Sequence, residues 1–363
     1  MNRSRGVRVV TAIALFIALV SAPASAAART SPPLPGSAMT LPKPVVTTLT
    51  VRTSGARVGD PVCIEALLFA DGFALRNRTI EFALQGVPVG SATTGISGQA
   101  NLCATAPLHG GTYPEGIGAG FAGDGLFAPS TGSAQLSIWP RETFVHTFPT
   151  EGPYLGTATF ATQLTFSLVL GTIPNCIPSP PPNNQTCAIV VDVPLPGRTI
   201  HFFRVGVPVG SAVTDANGIA AMTVPLSGLN SFQYLEGITS VYAGEPDYAA
   251  GTLSNTLAVL PQSTSLAVAP GSGSAGGSTS LSALLRFGGG LPLADRLVVF
   301  YLNDAIVGTT TTGSNGVATL ENVSLSGIAP GGYASGVKAL FLGELNFQPT
   351  AGSASLTVGP AAN

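Results

Sequence analysis

Few side chains in this 363-residue chain are suited to chemistry, and they do not converge in the sequence. The three histidines, His109, His146 and His201, follow no metal-ligand or triad spacing. His201 sits beside Phe202 on an alternating segment and reads as a solvated strand residue. There is no His-Glu-x-x-His, Gly-x-Ser-x-Gly or phosphate-loop motif, and no Gly-x-Gly-x-x-Gly ahead of a helix. No catalytic, cofactor-binding or metal-binding residue is therefore assigned, and no enzymatic activity is expected. The acidic groups that merit a metal test are Asp124, Glu245 with Asp247, and Glu344, each just after a recurring glycine. Calcium takes about six to eight oxygens. Each turn supplies one or two carboxylates, so a polar turn is the better reading.

Cysteine chemistry points to crosslinks. Cys63, Cys103, Cys176 and Cys187 lack metal-site spacing, and an even number in a secreted chain reads as two disulfides. Cys176 and Cys187 bracket Ile177, Pro178, Ser179, Pro180, Pro181, Pro182, Asn183, Asn184, Gln185 and Thr186. That segment is a candidate binding loop, stiffened by its prolines; the bland alternative is a tolerated insertion, stapled because it is exposed.

The secreted context comes from the first residues. Arg3, Arg5 and Arg8 precede the apolar run 9–20, and Ala24-Ser25-Ala26 offers a cleavage site, the three parts of a secretory leader over residues 1–26. The expected location is extracellular or at the cell surface, with the periplasm as an alternative. No later stretch is apolar for long enough to span a bilayer, so no transmembrane span is expected after cleavage. Of 15 basic residues the leader holds three, leaving 12 against 17 acidic ones. The only lysines are Lys43 and Lys338. Such a chain has no basic patch for phosphates, which excludes nucleic acid as a partner.

The elements that must position these residues emerge from a repeat. The heptapeptide GVPVGSA occurs at Gly86–Ala92 and Gly206–Ala212, and its register extends to a third copy. Arg78, Arg198 and Arg296 match, as do Phe82, Phe202 and Phe300, then Gly98, Gly218 and Gly316. Farther on, with one residue more between copies, Tyr113, Tyr234 and Tyr333 match. A period of about 100 residues means tandem whole domains, because solenoid repeats run at about 20–50. Within each copy apolar residues alternate with period two between Gly/Pro turns, and about seven strands can be counted. Charged residues make up only 9% of the chain, yet 45% is hydrophobic, which suits strands joined by turns and not disorder. Seven short strands in about 100 residues describe an immunoglobulin-like sandwich. Tyr113, Tyr234 and Tyr333 then stand at the start of the sixth strand, the place of a tyrosine corner, although an ordinary buried aromatic reads the same way. Cys63 and Cys103 fall beside inward residues on two neighbouring strands, so both point outward and a cross-strand disulfide is feasible. Each GVPVGSA reads as a hairpin turn at its glycine, followed by an edge strand in which Pro88 or Pro208 withholds a donor.

The units resemble bacterial Ig-like repeats of the Big_3 type. The resemblance rests on Thr47–Val51, Ile80–Phe82, Val89-Gly90 and FAGDGLFAPS at Phe121–Ser130, with YAGEPDYAAG at Tyr242–Gly251 and FLGELNFQPT at Phe341–Thr350. Glu245 and Glu344 depart from the aspartate usual at that place. The resemblance implies a noncatalytic spacer, stalk or adhesive module. The expected organisation is all-β: three tandem immunoglobulin-like Greek-key sandwiches at 45–140, 141–261 and 262–363, after the leader and a proline-rich linker at 27–44. The insertion lies in the second of them. The expected partner is a protein or glycan at a surface.

Overall fold

The computed structural model describes residues 43–174 and 186–361. The leader and the segment from Cys176 through Gln185 lie outside the described residues, and so does any statement on a Cys176–Cys187 bond. The first sandwich contains β1 (Thr47–Val51), β2 (Ser54–Arg57), β3 (Val62–Ala70), β4 (Phe73–Ala74), β5 (Thr79–Leu84), β6 (Val87–Thr93), β7 (Gln99–Ala104), β8 (Gly111–Phe121) and β9 (Ser130–Trp139). In the second follow β10 (Thr143–Thr147), β11 (Thr150–Pro153), β12 (Thr157–Pro174), β13 (Thr186–Pro194), β14 (Thr199–Arg204), β15 (Val207–Val213), β16 (Ile219–Pro225), β17 (Phe232–Tyr242) and β18 (Gly251–Leu260). The third holds β19 (Thr264–Val268), β20 (Gly271–Ser274), β21 (Ser278–Phe287), β22 (Leu291–Pro292), β23 (Leu297–Leu302), β24 (Ala305–Thr311), β25 (Val317–Ser324), β26 (Gly331–Phe341) and β27 (Thr350–Gly359).

In the first sandwich β1, β4 and β7 pair with β3 in one sheet, and the other sheet runs β2-β9-β8-β5-β6. Only β2 on β9 is parallel there. The same pair of sheets recurs twice, and the result is an immunoglobulin-like β-sandwich three times over. The strand count exceeds the seven read from the sequence. After β1 the chain crosses to the other sheet as β2, whose four residues are too few to show a period, and a two-residue β4 adds a ninth.

The period-two pattern is what closes each sandwich. On β3, Val62, Ile64, Ala66, Leu68 and Ala70 are buried while the residues between them face outward. Phe82, Phe202 and Phe300 are buried at matching places, in the same cores as Ile64, Phe160 and Leu281 of the facing sheet. Burying one such side chain contributes about 1.5–3 kcal/mol. On the outward face Cys63 and Cys103 stand directly opposite each other on β3 and β7 and form a disulfide. Closing a loop of 40 residues in this way contributes about 3–4 kcal/mol in the chain-entropy account.

The repeated heptapeptide forms a hairpin with a two-residue turn. Gln85 and Gly86 have φ of 49° and 74°, Val205 and Gly206 48° and 77°, and Asn303 and Asp304 45° and 68°. Two left-handed residues in succession define a turn whose twist matches the strands it joins. Asn and Asp accept that conformation readily, whereas Val205, branched at Cβ, is strained there. The following strands, β6, β15 and β24, are the outer strands of their sheets.

A second glycine is required for a different reason. The carbonyls of Gly98, Gly218 and Gly316 accept from Leu68, Leu164 and Leu285 at 2.9, 2.8 and 2.9 Å. At Gly218 φ is +73°, and a Cβ would lie 2.4 Å from the carbonyl oxygen of Leu164. Gly218→Ala should therefore destabilise the second sandwich by about 1–3 kcal/mol. Urea unfolding of the full chain checks this; an unchanged midpoint for that transition would contradict it.

Candidate functional site

The turn between the last two strands of each sandwich is held by one arrangement used three times. Arg78 Nε lies 3.0 Å from Asp124 Oδ2, Arg198 Nε 3.2 Å from Glu245 Oε1, and Arg296 Nε 3.1 Å from Glu344 Oε2. Each guanidinium also lies over an aromatic ring of the same turn: Phe127 at 5.3 Å, Tyr248 at 5.4 Å and Phe347 at 5.6 Å. Ion pairing and ring stacking together fix both ends of the turn. Of the carboxylates considered for a metal, Asp124, Glu245 and Glu344 are thus engaged by arginine, and the described residues contain no cluster of three metal-ligating side chains. Asp124 additionally accepts from the N–H groups of Leu126 and Phe127, both at 2.8 Å. Those bonds, aided by Arg78, hold its carboxyl below the ordinary 3.8.

The turns of the second and third sandwiches dock on the sandwich before them. Asp247 Oδ1 accepts from the Gly110 N–H at 3.0 Å, and Asp247 Oδ2 lies 2.7 Å from His109 Nδ1. At the second joint Asn346 Oδ1 accepts from the Ser231 N–H at 2.7 Å, and its Nδ2 donates to Asn230 Oδ1 at 3.1 Å. Asp247 and Asn346 occupy the same place in the repeat, as do Gly110 and Ser231. The joint is therefore itself a repeated element: a side-chain acceptor on the later sandwich and a backbone donor on the earlier one. Around it, Tyr154 stacks edge-on against Phe347 with centroids 5.6 Å apart, and Gln262 Nε2 donates to the Tyr154 carbonyl at 2.6 Å. Arg141 faces Asp60 at 3.6 Å, and Arg57 pairs with Glu142 at 2.6 Å. The donor loops are anchored from behind by the recurring tyrosines. Tyr113, Tyr234 and Tyr333 donate to the carbonyls of His109, Asn230 and Ala329 at 2.8, 3.2 and 2.9 Å.

The insertion is built as a ribbon. β12 continues past the end of its sheet and pairs with β13, matching Leu168 with Val191 and Val169 with Val190, with a bulge between Val169 and Gly171. Val169, Leu170, Ile189, Val190 and Val191 are exposed. β13 pairs with β12 alone, so its other edge is open among the described residues. At its root, Ser167 and Val169 join Arg57, Asp60, Arg141 and Glu142 around a cleft of about 200 Å³ beside the first joint. Of the candidate loop, only Thr186 falls in a described strand. The sequence reading missed Asp247 and Asn346 as joint residues; their shared place in the repeat was the available signal.

No family model matches the chain, and no curated protein matches it. Solved structures of tandem domains are similar to it at low identity. A structure from a 1.5-MDa bacterial ice-binding adhesin covers 88% of this chain and 99% of its own, with 15% identity and a TM-score of 0.34. The I67–I69 fragment of the titin I-band covers 87% and 98%, with 9% identity and a TM-score of 0.37. A tetra-tandem repeat from the extending region of a large adhesion protein covers 86% of this chain and 74% of its own, with 16% identity and a TM-score of 0.34. The chain is an all-β protein of tandem immunoglobulin-like sandwiches. No helix among the described residues is long and apolar enough to cross a membrane.

Burial works to raise the pKa of Asp247, but the His109 ring and the Gly110 N–H outweigh it, aided by Arg198, and hold the carboxyl below 3.8. A lowered folded-state value means that the contact is fully present above the ordinary carboxylate range and is lost as pH falls through the lowered one. Gly110 leaves no room for a side chain: a Cβ would lie only 1.7 Å from the carbonyl oxygen of Pro246. Fluorescence energy transfer between labels on the first two sandwiches should show Gly110→Ala opening the joint at neutral pH. The open population should rise about tenfold, as loss of one hydrogen bond implies. The wild-type joint should open only on acidification below the carboxylate range, while the second joint, built on an amide, should not respond. Identical distances for wild type and variant at neutral pH would contradict the joint assignment.

Proposed function

We propose that the chain is a secreted, noncatalytic protein whose three sandwiches, of the Big_3 kind, act as an extracellular structural or adhesive module. The observation that carries this reading is the pair of joints. Two consecutive sandwiches are locked by the same acceptor–donor contact, with the acceptor turn fixed by its arginine and the donor loop by its tyrosine. A spacer needs such fixed joints to hold its ends apart. On this reading the sandwiches span 45–140, 141–261 and 262–363; the support is three buried clusters, with Tyr154 packed against both the second and the third.

The ribbon of the second sandwich favours a second role, as a binding arm. Its described residues expose aliphatic side chains and an open strand edge, which suits an extended protein segment added to the edge better than a glycan. The candidate loop 177–186 and a Cys176–Cys187 bond belong to this proposal.

Fractionation of producing cells, paired with crosslinking, tests both readings. The chain should be recovered outside the cytoplasmic membrane and without residues 1–26. Replacing 167–192 by Asp71-Gly72, the turn between β3 and β4 of the first sandwich, should leave location and folding unchanged while removing crosslinked extracellular proteins. Recovery in the cytoplasm with the leader intact contradicts the first reading. An unchanged set of crosslinked proteins contradicts the second.

A further inference from the structure

The ends of the array show which contact they are built for. In the second and third sandwiches the turn tip is Asp247 or Asn346, and in the first the same place holds Leu126, 65% exposed. Two further exposed positions of the first sandwich change in the same sense. Val46 matches Glu142 and Ser263, and Ile96 matches Ala216 and Ser314; Val46 is 67% and Ile96 85% exposed. A head that met only water would gain nothing from three large apolar side chains where its siblings are polar or small.

The opposite end has changed to match. The donor position, Gly110 in the first sandwich and Ser231 in the second, is Pro330 in the third, which has no N–H to donate. The residue before it is Ala329, in place of His109 or Asn230. Tyr154 receives the following sandwich through its carbonyl and its ring, and at its place the first sandwich has Val58 and the third only Ala275; where Trp139 and Leu260 stand, the third has Gly359. The acceptor is missing at one end and the donor at the other, at the two positions that meet in each internal joint. Against Leu126 an ordinary N–H would be buried without a partner, and Pro330 removes that penalty. The bulky head faces a tail of small, uncharged residues. Charge does not oppose the contact: Asp124 is engaged by Arg78, and exposed Asp71 and Arg76 have opposite sign.

We propose that the head of the first sandwich docks on the tail of the third sandwich of a second copy, in the register of the internal joints, with Leu126 against Ala329 and Pro330. Such a contact is head-to-tail, so each copy keeps a free head or tail for the next. It is independent of the adhesive reading and of the ribbon.

Sedimentation equilibrium of the secreted full chain tests the contact. The weight-average mass of the wild type should rise with concentration and pass the dimer. Leu126→Asn alone should weaken association about tenfold, because the amide then faces a proline with no donor. Pro330→Ser alone should weaken it similarly by burying an N–H against Leu126. The double variant L126N/P330S recreates the Asn346–Ser231 pair and should recover association. Both replacements stand at the same positions in sibling sandwiches, and melting curves that match the wild type verify folding. A wild type that stays monomeric overturns the proposal. So does a double variant that fails to recover, since this reveals unspecific stickiness. The third overturning result is a monomer that cosediments with phosphatidylcholine vesicles through Leu126, which assigns the head to lipid.

Discussion

The arginine that each sandwich lays between an acidic and an aromatic side chain of its last turn is the interaction on which the rest depends. Arg78, Arg198 and Arg296 each pair with a carboxylate near 3 Å and lie over a ring between 5.3 and 5.6 Å away. Exposed ion pairs contribute little alone. Here the arginines are about a quarter exposed and held on two sides, which restrains the turn. Its tip then projects a single residue, and that residue decides what the end of the sandwich can meet. With Asp247 or Asn346 there, the tip accepts a backbone N–H from the sandwich before it.

A rigid turn needs a rigid receiver, which explains the recurring tyrosines. Each hydroxyl donates to a carbonyl four residues upstream, and in the first two sandwiches this holds the loop whose N–H faces the joint. The tyrosine is thus less a core residue than a strut beneath the docking loop. Donor and acceptor are both positioned before they meet, so little ordering is needed on contact. The linker adds backbone bonds on either side: Arg141 to Asp247 and Gln262 to Asn346, each by its N–H to the carbonyl.

Much of this was legible in the sequence, for reasons that separate local from distant physics. The sandwich was readable because burial on one sheet face imposes period two, and three copies superimpose the same pattern on Phe82, Phe202 and Phe300. The hairpin was readable because Gly86 and Gly206 satisfy a backbone rule that acts within a few residues. Val205 was not, since nothing local favours a β-branched residue at positive φ; its strain is sustained by the strands around it. The joints were missed because Gly110 and Asp247 are 137 residues apart, and a polar turn residue looks solvated until its partner is known. The insertion read as a loop because its prolines and cysteines dominate the eye. The β-branched run Ile189, Val190 and Val191 was the signal that the flanks continue as strands.

The central claim is that the two joints are fixed, and residual dipolar couplings from the full chain test it most directly. If the turn and the strut lock each joint, couplings from all three sandwiches fit one alignment tensor of common magnitude and orientation. Three tensors of different magnitude would mean that the sandwiches move independently, and the account of the joints would be wrong.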